Sequence, residues 1–92
     1  MDPTFAFPTQ ADTLAWVASR WPDRTSPIWR AAKLCEESGE VIAAVIKIDE
    51  GRKTPADLAR ETAQAVICCM ALAESSGFDL WTEVAAEYAR CQ

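Results

Sequence analysis

A short break, Gly51-Arg52-Lys53, separates two long stretches that each open on Ser/Thr-Pro and contain no further proline, and no other feature constrains the fold as tightly. Ser26-Pro27 sets a cap residue before a proline at the first helical position, where the missing N–H has no partner to lose. Thr54-Pro55 repeats the signal, with Asp57 completing a capping box. The spacing predicts one helix from Ser26-Pro27 to about Glu50, near 36 Å long by its rise, and a second from Pro55 to about Ser76, stopped by Gly77. A connection this short makes them antiparallel neighbours. Two outer helices are predicted. One starts after Thr9, boxed by Asp12, carries Leu14, Val17, Ala18 and Trp21 on one face, and stops at Pro22. The other is capped by Asp79 and carries Leu80, Trp81, Val84, Ala85 and Tyr88, a stripe expected to dock on the hairpin as core.

With no strand pattern, the expected fold is all-α, a four-helix bundle around a long helical hairpin, forming a single domain over residues 1–92. Residues 1–8, with Pro3, Phe5, Phe7 and Pro8, read as an extended segment whose aromatics pack on the bundle or on another subunit. A net charge of −5 lacks the basic footprint of nucleic-acid binding, so an anionic substrate needs a cation as intermediary. No apolar run reaches membrane-span length and the N-terminus has no positive signal region, so the expectation is a soluble, cytoplasmic protein without nucleic-acid or membrane partners. Histidine is absent, which leaves acid–base chemistry to carboxylates. Cys35, Cys68, Cys69 and Cys91 show no zinc-finger spacing, and Cys68-Cys69 read as small core hydrophobes.

The chemistry-bearing feature is a pair of three-residue spacings on the two hairpin arms, Glu37 with Glu40 and Glu61 with Gln64. Residues three apart share a helix face, so each pair directs its oxygens at one place, and hard divalent cations take oxygen ligands from facing helices in this way. Counted from the break, Glu40 and Gln64 fall level, each about 14–15 Å from the turn, with Glu37 one turn farther and Glu61 one turn nearer. Arg30, Lys33 and Lys47 are cations of the same helix as the first acid pair, and Trp16, Trp21, Trp29 and Trp81 are more indole than so small a core usually needs. Arg52 and Lys53 lie at the turn, about 15 Å from the acids. Val41, Ile42, Val45, Ile46 and Ile48 surround the second helix with more apolar surface than one hairpin covers, which points to self-association.

Lys33-Leu34-Cys35-Glu36-Glu37-Ser38-Gly39-Glu40-Val41, Asp57-Leu58-Ala59-Arg60-Glu61-Thr62-Ala63-Gln64-Ala65-Val66 and Gly77-Phe78-Asp79-Leu80 together resemble the MazG-like nucleotide pyrophosphohydrolases of the all-α NTP pyrophosphatase superfamily. The resemblance spans roughly residues 10–91 and rests on an E-x-x-E motif followed about 20 residues later by E-x-x-D, read here as E-x-x-Q. It implies cleavage of a nucleoside triphosphate to a monophosphate and pyrophosphate, a house-cleaning role in the nucleotide pool, and a homodimer or homotetramer. It implies Mg²⁺, with Mn²⁺ as a substitute, on Glu37, Glu40, Glu61 and the position of Gln64, and Glu36 as the base that activates water; with such a substrate, Arg30, Lys33 and Lys47 are the candidates to compensate phosphate charge and Trp29 the candidate to stack on the base. Gln64 stands where the family has Asp, and Glu87 and Cys91 stand where many members have a nucleotide-holding Lys and Asn. The alternative expectation is a non-catalytic nucleotide-binding or structural helical relative with a degenerate metal site.

Overall fold

The computed structural model describes residues 6–92, which form four helices and no strand: α1 Gln10–Arg20, α2 Pro27–Asp49, α3 Pro55–Ser76 and α4 Leu80–Arg90. Each start follows from local chemistry. In α1 the Thr9 hydroxyl accepts from Asp12 N–H at 3.1 Å while Asp12 accepts from Thr9 N–H at 2.8 Å. In α3 the Asp57 carboxylate accepts both the Thr54 N–H at 2.8 Å and the Thr54 hydroxyl at 3.0 Å. Asp79 accepts from Thr82 N–H at the head of α4. Prolines open α2 and α3. Gly77, at φ +82°, closes α3 with a left-handed residue and lets Phe78 N–H reach Ala73 C=O at 3.1 Å, which settles a carbonyl the helix end leaves open.

α3 is the central element, packed mainly on α2, then on α1, and lightly on α4. The buried apolar residues are few and mostly small: Val17, Ala44, Met70, Ala71 and Ala73. Alanines on both arms let the hairpin helices approach closely. Gln10 ties the start of α1 to the far end of α3, donating to Glu74 Oε1 at 3.0 Å and Phe78 C=O at 2.7 Å and accepting from Leu80 N–H at 2.9 Å. No helix among the described residues is long and apolar enough to cross a membrane.

Two expectations change. The α4 stripe does not dock as core: no α4 residue is buried, and Trp81, Val84 and Tyr88 are exposed. α4 packs only lightly on α3: Gln10 and the Gly77 turn fix where it begins, but among the described residues no element buries its later turns. The partner of Gln64 also differs: its terminal amide meets Glu37, while Glu40, counted level with it, is exposed. Arg52 and Lys53 N–H both donate to Lys47 C=O, at 2.7 and 3.2 Å, and Gly51 at φ +74° permits that turn.

Of the N-terminal aromatics, Pro3 and Phe5 lie outside the described residues. Phe7 and Pro8 line an apolar groove of about 510 Å³ with Val66, Ile67, Met70 and Trp81. All four cysteines are free; Cys68 and Cys69 are half-buried and Cys35 and Cys91 exposed.

Candidate functional site

Three side chains converge across the α2·α3 seam. Glu37 and Glu61 are 8% and 9% exposed, and the terminal amide of Gln64 lies between them, 3.2 Å from Glu37 Oε2 and 3.1 Å from Glu61 Oε2. With the amide nitrogen on that side, Gln64 donates one hydrogen to each carboxylate. With the amide oxygen there, that oxygen faces only acceptors and the nitrogen only donors, so the nitrogen-inward orientation is the one that satisfies both ends without an ion. The two arrangements differ by a half-turn of the amide.

The carboxylates are not equivalent. Glu37 Oε1 meets Lys33 Nζ at 3.3 Å, and the same ammonium lies 3.4 Å from Glu36 Oε1. Burial pulls the Lys33 pKa down, but the hydrogen bonds to Glu37 and Glu36 outweigh it and hold the ammonium above its ordinary range. Glu61 meets no cationic side chain within 4 Å among the described residues. A buried carboxylate without a counter-charge is unfavourable, and the Gln64 amide is the polar partner that the described residues offer Glu61. Burial, reinforced by the Glu37 charge, pushes the Cys68 thiol up; it stays protonated and serves as an apolar wall residue.

Glu37 and Gln64 lie at one end of a cleft of about 740 Å³ between α1, α2 and α3. Its wall holds Trp16, Trp21, Trp29, Arg24, Arg30, Lys33 and Glu36, together with Val17, Ile67, Cys68 and Ala71. Arg30 is 6% exposed and its Nε donates to Arg24 C=O at 2.9 Å, yet no carboxylate pairs with it among the described residues. The Arg24 guanidinium lies 4.9 Å from the Trp29 ring centre, Arg20 lies 5.1 Å from that of Trp16, and Trp16 meets Trp21 edge to face at 5.6 Å.

The sequence candidates therefore divide. Trp29, Arg30, Lys33, Glu36, Glu37 and Gln64 share the cleft, and Glu61 joins them through Gln64. Glu40 is exposed, and among the described residues no three His, Cys, Asp or Glu side chains gather to hold a metal. Lys47 lies outside the cleft wall; its carbonyl instead anchors the hairpin loop. Arg24 was not legible as a site residue, since it sits in a short helix connection without periodicity. The cue it did offer was its position between Trp21 and Trp29.

The donor set fits a hard divalent cation in its chemistry: two carboxylates and an amide oxygen from facing helices. Oxygens held at about 2.0–2.1 Å around Mg²⁺ stand about 3 Å apart at adjacent octahedral corners, close to the separations at Gln64. No family model, curated protein or solved structure matches the chain.

Proposed function

We propose that this protein is a MazG-like, divalent-cation-dependent nucleotide pyrophosphohydrolase, which cleaves a nucleoside triphosphate to the monophosphate and pyrophosphate and acts in nucleotide-pool house-cleaning. The observation that carries the reading is the buried Glu61, opposed to the buried Glu37 with only the end of Gln64 between them and no cationic side chain of its own among the described residues. Glu37, Glu61 and Gln64 would hold the ion, and Glu40, one turn further along α2, is the ligand the family resemblance adds. When bound, such an ion neutralises phosphate charge and acidifies the attacking water.

The chain's own residues account for the remaining steps. Arg30 and Lys33, on the same side of α2 as Glu37, receive phosphate oxygens. Transfer of Lys33 from Glu36 to phosphate frees the Glu36 carboxylate to accept a proton from water. Trp29 stands about 12 Å from Glu37 by the helix rise, so a base stacked there leaves its phosphates toward the acids. Exposed Ile42, Val45 and Ile46 supply the contact for a homodimer or homotetramer.

A second reading has an observation of its own. If the Gln64 amide presents its nitrogen, both carboxylates are satisfied without an ion, which suits a non-catalytic nucleotide binder or a structural helical module. Pyrophosphate release from a panel of NTPs and dNTPs, with and without Mg²⁺, separates the two. Metal-dependent release supports the enzyme, and its absence across the panel removes it.

A further inference from the structure

We infer that the tryptophan end of the cleft selects an oxopurine, so that guanine and hypoxanthine nucleotides are preferred over adenine and pyrimidine ones, with Arg24 as the specificity-determining residue. The inference rests on the nucleotide reading of the cleft and adds which base it takes. Arg24 belongs to the short α1–α2 connection, but its backbone is tied on both sides: its N–H donates to Trp21 C=O at 2.9 Å, and its C=O accepts from Arg30 Nε at 2.9 Å. Its guanidinium is thereby presented against Trp29, in the wall shared with Trp16 and Trp21. No carboxylate pairs with it among the described residues, so its N–H groups are available to a ligand.

Two polar side chains of that wall, Thr13 and Asp12, are bound into the start of α1. The Thr13 hydroxyl donates to Gln10 C=O at 2.7 Å, and Asp12 accepts from Thr9 N–H at 2.8 Å as part of the helix cap. What this end of the wall offers the O6/N7 edge of a base is indole surface for stacking and the Arg24 guanidinium fork for hydrogen bonding. Stacking favours the larger purine ring system. The fork matches two adjacent acceptors, which guanine and hypoxanthine present as O6 and N7, whereas adenine turns an amino donor toward it at position 6.

Calorimetric titration with IMP, GMP, AMP and CMP in the presence of a chelator tests this without requiring metal or turnover. IMP and GMP should bind about tenfold tighter than AMP, and CMP should bind weakest. Arg24→Gln should bring IMP and AMP within about twofold of each other, and Arg24→Lys, which keeps charge but not the fork, should not restore the preference. Circular dichroism and the melting temperature establish that both variants fold; if Arg24→Gln does not, Arg24→Lys alone decides. Equal binding of IMP and AMP by the wild type, a preference that survives in the folded variants, or no binding of any monophosphate would overturn the inference. Its fate is separable from that of the enzyme: equal Mg²⁺-dependent pyrophosphate release from all NTPs sinks the base preference alone, whereas oxopurine-selective binding without hydrolysis of any NTP sinks the enzyme alone.

Discussion

Gln64 reaches Glu37 across the hairpin seam, its terminal amide 3.2 Å from Glu37 Oε2. That contact places a neutral side chain where two buried carboxylates converge and makes position 64 the point at which a metal site and a metal-free hydrogen-bond bridge part. Replacing Gln64 with Asp puts a third negative charge there. Without divalent cation the Gln64→Asp variant should lose about 1–3 kcal/mol of stability, from like-charge repulsion and loss of the amide donors. Millimolar Mg²⁺ should return that loss and more, so paired urea melts with and without Mg²⁺ check it.

Glu61→Gln should act in the opposite sense. It removes a buried charge that has no cationic partner among the described residues, so the ion-free protein should melt no lower than the wild type, and higher by about 1 kcal/mol if the charge is fully uncompensated. The same change should remove any Mg²⁺-dependent gain in stability and any pyrophosphate release.

The helix starts were legible because capping is local. Thr9 with Asp12, Thr54 with Asp57, and Asp79 cap within one turn, Pro27 opens α2 although the Ser26 side chain makes no cap hydrogen bond, and all four helices begin where these residues indicate. Which α2 carboxylate Gln64 meets was not legible, since counting along the helix axes gives levels and not the directions in which long side chains reach. The α4 stripe misled for a related reason: an apolar face states that a surface is available, not that this chain covers it. At the site, the same-face spacing of Glu61 and Gln64 brought their ends together, but Glu40 stayed exposed while Glu37 took the place opposite Gln64. Arg24 was missed because its position comes from two backbone hydrogen bonds in a loop.

The capping aspartates set the acid limit of the fold. Hydrogen bonds from Thr9 hold the Asp12 carboxyl below the ordinary 3.8, as do those from Thr54 for Asp57 and from Thr82 for Asp79. A carboxyl whose folded pKa is depressed contributes stability above its unfolded value and loses it as pH falls through the folded one. The melting temperature should therefore drop as pH falls below 3.8, and Asp57→Asn should flatten that drop. A scan of melting temperature from neutral to strongly acid buffer measures both.

Gly77→Ala tests the end of α3. The added methyl meets open space, so the cost comes from the backbone at φ +82°. A non-glycine residue there costs about 1–2 kcal/mol, which lowers the melting temperature of a domain this size by about 4–8 °C per kcal/mol.

Ile42, Val45 and Ile46 remain exposed on one face of α2. Light scattering at micromolar concentration should return the mass of a dimer or tetramer, and Ile42→Glu with Ile46→Glu should shift it toward the monomer. A wild-type monomer would contradict self-association through this face.

The central claim is that Glu37 and Glu61 hold a catalytic cation at the foot of a nucleotide cleft. The most direct measurement is pyrophosphate release from a panel of NTPs and dNTPs, run on the wild type and Glu61→Gln, each with millimolar Mg²⁺ and with a chelator. The account predicts release by the wild type from at least one triphosphate, dependent on Mg²⁺ and lost in Glu61→Gln. No release from any triphosphate with Mg²⁺, or release that persists in the chelator or in Glu61→Gln, would contradict it.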